Sequence, residues 1–158
     1  MEFKAHCGDI LLLKGTSPLA TLIKLWTKSE YSHSAMYINE RMIVESDIGG
    51  VQFGMVDKYN SSCYDVYRHN TASYGQLVKA ANWSILQKGK WYDYLGLIGI
   101  ATRRSDLDQK NMYWCSEFNM DAYIQAGIDV DCECNTRKVT PSDIANDLHF
   151  TKVGVYIK

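Results

Sequence analysis

Two apolar runs held apart by three polar residues constrain this chain most. Ser32-His33-Ser34-Ala35-Met36-Tyr37-Ile38 and Met42-Ile43-Val44-Glu45-Ser46-Asp47 read as strands, joined through Asn39-Glu40-Arg41. If those three residues form the loop of a hairpin, Ala35 lies opposite Glu45 and His33 opposite Asp47. Side chains alternate along a strand, so His33, Ala35, Glu45 and Asp47 then share one face, with Glu45 diagonal to His33 and within reach of its ring. One imidazole is offered two carboxylates. A loop one residue shorter or longer moves Glu45 to the face opposite His33.

Around this hairpin the chain alternates short strands and helices. Gly8 to Gly15 brackets a continuous apolar run, Ile10-Leu11-Leu12-Leu13, which predicts a central strand buried on both faces. Ser17-Pro18 opens a helix with Ser17 as cap and proline at its first position, and Leu19, Leu22, Ile23 and Trp26 form its expected buried stripe. Strands are expected at Val51–Val56, Tyr64–Arg68 and Lys152–Ile157, and a helix from Thr71 to about Leu86, stopped by Gly89. Tyr92–Ala101 reads as a buried helix weakened by two glycines, Arg103–Asn111 as a polar loop, and Asp129–Arg137 as irregular and acidic. Pro141-Ser142-Asp143 starts a short helix. The sheet is thus expected to be mostly antiparallel.

Tyr113-Trp114-Cys115-Ser116-Glu117-Phe118 sets a cysteine at the first turn of a helix whose apolar residues run to Ala126, with Gly127 as its stop. Unpaired N–H groups and the positive end of the helix dipole favour a thiolate there. The plainer alternative is a small core residue under Trp114, as most unpaired cysteines are. Glu117 suits helix capping better than catalysis. A thiol at a helix start, an imidazole on a strand and a carboxylate that orients it are the parts of a thiol hydrolase.

A length of 158 residues and a net charge of -1 fit one domain, 1–158, with no basic patch to suggest nucleic acid as a partner. No run approaches membrane-spanning length, and the amino terminus lacks a signal-peptide pattern, so a cytoplasmic chain is expected. Five cysteines without such a signal argue for free thiols. Cys132-Glu133-Cys134 with His6-Cys7 lacks the spacing of a zinc site, so no metal is expected, and His69 and His149 have no partner readable from sequence.

The order Gly-Asp-Ile near the start, Tyr31-Ser32-His33-Ser34-Ala35, Ile43-Val44-Glu45-Ser46, Gly50-Val51, Tyr92-Asp93 and Tyr113-Trp114-Cys115-Ser116-Glu117 resembles the circularly permuted NlpC/P60 cysteine peptidases. More narrowly it is similar to the branch named after the bacterial YiiX and YebB proteins, which has poxvirus members and is related to lecithin:retinol acyltransferase-like proteins. The resemblance spans Gly8 to about Tyr123. It implies an α+β, circularly permuted papain-like fold, a mostly antiparallel sheet packed against helices, with the histidine strand before the cysteine helix. It also implies Cys115 as nucleophile, His33 as base and Glu45, rather than Asp47, as the orienting residue. Tyr92 matches a tyrosine expected near the substrate. Ser46 and Trp114 depart from a common alanine and a common tyrosine.

The activity so implied is cleavage of an amide, peptide or amino-acyl and of the cell-wall type, through an acyl-enzyme without a cofactor. Lipid esters or acyl transfer, as in related permuted families, are the enzymatic alternative, and a non-catalytic binding module that keeps the pocket is the other. Asp93 is open between capping the next helix and supporting the site, and Asp47 stays a second candidate partner of His33.

Overall fold

The computed structural model describes residues 4–93, 112–131 and 139–157. Six strands form one antiparallel sheet: β1 (Ile10–Lys14), β2 (His33–Tyr37), β3 (Met42–Asp47), β4 (Gly50–Met55), β5 (Cys63–His69) and β6 (Phe150–Tyr156), in the spatial order β4-β3-β2-β1-β5-β6. Helix α1 (Pro18–Thr27) connects β1 to β2, a single 3-10 turn (Val56–Tyr59) follows β4, and α2 (Tyr74–Leu86) follows β5. The cysteine helix is α3 (Cys115–Gln125), and α4 (Pro141–Asn146) precedes β6. The fold is α+β, as expected. No helix among the described residues is long and apolar enough to cross a membrane.

Periodicity sets which face each strand residue takes. Ile10 and Leu12 of β1, with Met36 and Val44, pack against α2 and α3 through Ala80, Phe118 and Tyr123. Leu11 points the other way, with Ala35, Tyr37, Ile43 and Val66, into a second apolar layer closed by Val56 and Tyr59 of the 3-10 turn. Strand β1 is therefore buried on both faces and paired on both edges, by β2 and β5.

The hairpin register is the one expected for a three-residue loop. Met36 faces Val44, Tyr37 faces Ile43, and Ile38 N–H donates to the Met42 carbonyl at 2.8 Å, so the loop is Asn39-Glu40-Arg41. The Asn39 side chain closes it by accepting from the N–H groups of Arg41 and Met42, both at 2.9 Å.

Helix caps also match the sequence. Ser17 accepts from Ala20 N–H at 3.1 Å with Pro18 in the first turn. Ser73 and Gln76 form a reciprocal capping box at the start of α2, which begins at Tyr74 rather than Thr71. The expected stripe of α1 is a correction: only Ile23 is buried, while Leu19 and Trp26 are 44% and 43% exposed and Leu22 is exposed as well. Periodicity identifies an apolar face but not what covers it. This helix makes sparse contact with the other elements and turns that face toward a cavity instead of the sheet.

The chain then returns to place the cysteine helix. After α2, Lys90 is clipped to the start of β4, its carbonyl accepting from Val51 N–H at 2.8 Å while Gly89 N–H donates to the Val51 carbonyl at 2.9 Å. Gly50 has φ +88°, and a Cβ there would collide with the Lys90 carbonyl, so this crossing requires glycine. Tyr92 next forms a parallel bridge with Tyr113, two residues before Cys115. The expected helix at 92–101 falls after Asp93 outside the described residues, as does the expected loop at 103–111.

Candidate active site

Cys115 is the first residue of α3, 3% exposed, packed with Trp114 and Tyr92. Its thiol lies 3.9 Å from Ser116 Oγ and faces the start of β2, where His33 and Ser34 lower its pKa. On the far side of the ring, His33 Nε2 lies 2.8 Å from Glu45 Oε2. The structure thus brings Cys115, His33 and Glu45 into one line of contacts from three elements. Strand alternation explains the last link, since His33 and Glu45 occupy diagonal positions on one face of the hairpin.

Glu45 is fully buried and has two partners that the sequence does not reveal. Tyr59 OH donates to Oε2 at 2.6 Å, and Lys58 Nζ reaches Oε1. Both belong to the 3-10 turn after β4, a stretch without strand or helix periodicity, so only the tertiary fold carries them to the site. Asp47 shares the face: its carboxylate, the His33 ring and the Glu45 carboxylate each offer an atom within 4.8 Å of the others. Asp47 also caps its own turn, accepting from Ile48 N–H at 2.7 Å.

These contacts set the charges. Burial alone disfavours an ionised Glu45, but His33, Lys58 and Tyr59 outweigh it and hold the carboxyl at about 2. Burial likewise disfavours a charged His33, yet the neighbouring Cys115 and Glu45 raise it to about 10. Burial raises the Cys115 thiol, whereas His33 and the Ser34 donors pull it below its ordinary value, and the net direction is down. Cys7 behaves oppositely, raised by burial and by the nearby Asp9. Both shifts run in the direction of moving the thiol proton onto the imidazole, beside an ionised carboxylate.

Behind the sulfur, Asn119 Nδ2 donates to Ser34 Oγ at 2.9 Å, and Ser34 Oγ lies 3.3 Å from Ser116 Oγ. Glu117 reaches back to the Trp114 N–H at 3.5 Å, in line with its expected place in helix capping. Ser46 donates through Oγ to the Tyr113 carbonyl at 2.6 Å. Trp114 is buried, and its indole N–H has no partner among the described residues. Asp93 is buried, and its N–H donates to the Tyr113 carbonyl at 3.2 Å.

A cavity of about 570 Å³ opens onto the site. His33, Tyr59 and Tyr92 border it on one side, and Leu13, Leu19 and Ile23 contribute an apolar wall. Tyr92 therefore touches both the cysteine and the cavity. Away from the site, His69 Nε2 contacts the Asp129 carbonyl at 2.7 Å, and His149 Nδ1 lies 2.9 Å from Asp147, so both histidines have partners that sequence spacing did not show.

Comparison with known proteins agrees with this architecture. None of the curated proteins matches. The crystal structure of the metalloprotein yiiX from Escherichia coli O157:H7 is similar, with a TM-score of 0.73 at 20% identity over 96% of this chain and 98% of that one. A model for the family described as permuted papain-like amidase enzyme, YaeF/YiiX, C92 family, matches residues 4–153. A match over nearly the whole chain shows membership, and the chain belongs to this permuted papain-like amidase family.

Proposed function

We propose that this chain is a cysteine amidase in which Cys115 is the nucleophile, His33 the general acid and base, and Glu45 the residue that orients His33. The observation that carries the reading is the His33 ring, held between a thiol at a helix start and a buried carboxylate.

The chemistry follows from the charge state. The Cys115 thiolate attacks the amide carbonyl carbon, and the negative charge of the tetrahedral intermediate falls at the N-terminus of α3, where unpaired N–H groups and the helix dipole receive it. His33 gives its proton to the leaving nitrogen as the C–N bond breaks, which leaves an acyl thioester and a neutral imidazole. That imidazole takes a proton from water as the water oxygen attacks the thioester. The thiolate is expelled and the acid leaves.

A metal ion has no part in this reading. The similar yiiX protein is described as a metalloprotein. In the present chain the Glu45 carboxylate is engaged by His33, Lys58 and Tyr59, and the Lys58 ammonium repels a cation. In the Asp131–Asp147–His149 group the Asp147 carboxylate is likewise engaged, accepting from Asp131 N–H at 2.9 Å and from His149 N–H at 2.8 Å.

The cavity favours one acyl side over another. Leu13, Leu19, Ala20 and Ile23 form a wall that suits an aliphatic acyl group better than a charged peptide, which keeps lipid-like amides and esters as the second reading. The test is the pH dependence of Cys115 alkylation by iodoacetamide, with trapping of the acyl-enzyme by mass spectrometry on a panel of peptide and fatty-acyl amides and esters. Fast alkylation well below about pH 8.5, lost in His33→Ala, supports the reading. A Cys115 that titrates as a free thiol and never carries an acyl group overturns it.

A further inference from the structure

Glu45 has no exposed surface, and three donors converge on its carboxylate: the His33 ring at 2.8 Å, Tyr59 OH at 2.6 Å, and the Lys58 ammonium. Two of them are consecutive residues of the 3-10 turn, and both also border the cavity. A carboxylate whose sole partner is an imidazolium binds that proton tightly in a buried site, because little solvent competes. Among the described residues, the charged and titratable groups facing this pair are Cys115 from α3, Asp47 from β3, and Lys58 and Tyr59 from the 3-10 turn. Lys58 is the one cation among these groups beside His33 itself.

We propose that Lys58 is a positioning residue of the site, which balances the charge of Glu45 so that the carboxylate orients His33 without holding its proton back from the leaving group. The contact geometry supports a division of labour. Tyr59 shares the oxygen that His33 uses and fixes its direction, whereas Lys58 takes the other oxygen and moderates the charge. The ammonium acts through Glu45 on His33, not on the substrate. The inference builds on the roles given above to Cys115 and His33, but its primary readout does not depend on turnover.

The experiment is an NMR titration of the His33 ring in a Cys115→Ala protein, where no thiolate contributes, compared with the same protein carrying Lys58→Met or Lys58→Arg. Removal of the ammonium is expected to make His33 titrate about one pH unit higher, and arginine to restore it. Lys58→Gln repeats the measurement should the methionine variant fail to fold. A His33 titration that stays within about 0.2 of a unit, or moves down, overturns the proposal. In the chain with Cys115 intact, Lys58→Met should lower amide turnover about tenfold while alkylation of Cys115 near pH 6 holds or rises. An equal fall in both marks a merely structural strut and also overturns it. A native Cys115 with ordinary reactivity sinks the amidase reading instead, and the His33 titration still decides the part played by Lys58.

Discussion

Ser46 Oγ and the Tyr113 carbonyl, 67 positions apart in sequence, are joined by a 2.6 Å hydrogen bond that ties the hairpin to the segment delivering Cys115. Ser46 is buried on β3, and Tyr113 stands two residues before Cys115. The serine is therefore a fastening between the hairpin that carries His33 and Glu45 and the segment that carries Cys115.

Ser46→Ala tests that fastening. The Tyr113 carbonyl loses a donor, at a cost of about 1–2 kcal/mol in urea unfolding, and Cys115 alkylation slows severalfold as the sulfur drifts from His33. Unchanged alkylation would show that the Tyr92–Tyr113 bridge suffices.

Glu45→Gln separates charge from shape. The Glu45 carboxyl sits at about 2 in the folded chain against an ordinary 4.5, a lowered value, so its stabilising contribution is present above about 4.5 and fades as pH falls toward 2. The stability gap between the native chain and Glu45→Gln is expected to be widest above about pH 5 and to shrink by about 3 kcal/mol on acidification, measured by urea unfolding at each pH. Amide turnover should drop at least about 100-fold.

Leu19→Asn probes the apolar wall. Leu19 is 44% exposed yet borders the cavity, so stability should change by less than about 0.5 kcal/mol. Turnover of a decanoyl amide relative to an acetyl amide should fall about tenfold, as expected for losing most of one apolar side chain from an acyl site. An unaltered ratio would remove the lipid-like reading and leave the peptide one.

Asp9→Asn serves as the remote control. Asp9, just before β1, accepts Arg68 Nε at 2.8 Å and Nη2 at 2.7 Å, together with His6 N–H at 2.8 Å. Its loss should cost about 2–3 kcal/mol of stability, seen as a lower Tm, with Cys115 reactivity unchanged at temperatures where the variant is folded.

The strands and most helix caps were legible because their signals are local. Asn39-Glu40-Arg41 set the hairpin register, and the register put Glu45 beside His33. Ser17 and Pro18 announced α1, and Gly127, with φ +69°, ended α3 as expected. What stayed hidden was tertiary. The stripe Leu19-Leu22-Ile23-Trp26 was visible, but not that a cavity lay in front of part of it. Lys58 and Tyr59 carry no period that marks them, and their value comes from the 3-10 turn that folds them back onto Glu45. Ser34, next to His33 and on the opposite strand face, reaches the thiol only because α3 begins there.

The Tyr92–Tyr113 bridge, with Asp93 N–H on the Tyr113 carbonyl and Tyr113 N–H on the Trp91 carbonyl, each at 3.2 Å, fastens two points of the chain side by side. Tyr92 borders the cavity and packs on Cys115, so this clasp sets a piece of the cavity wall and the entry of the cysteine helix together. A change that shifts one side of the clasp therefore moves pocket and sulfur as a unit, and the two cannot be tuned independently at that point.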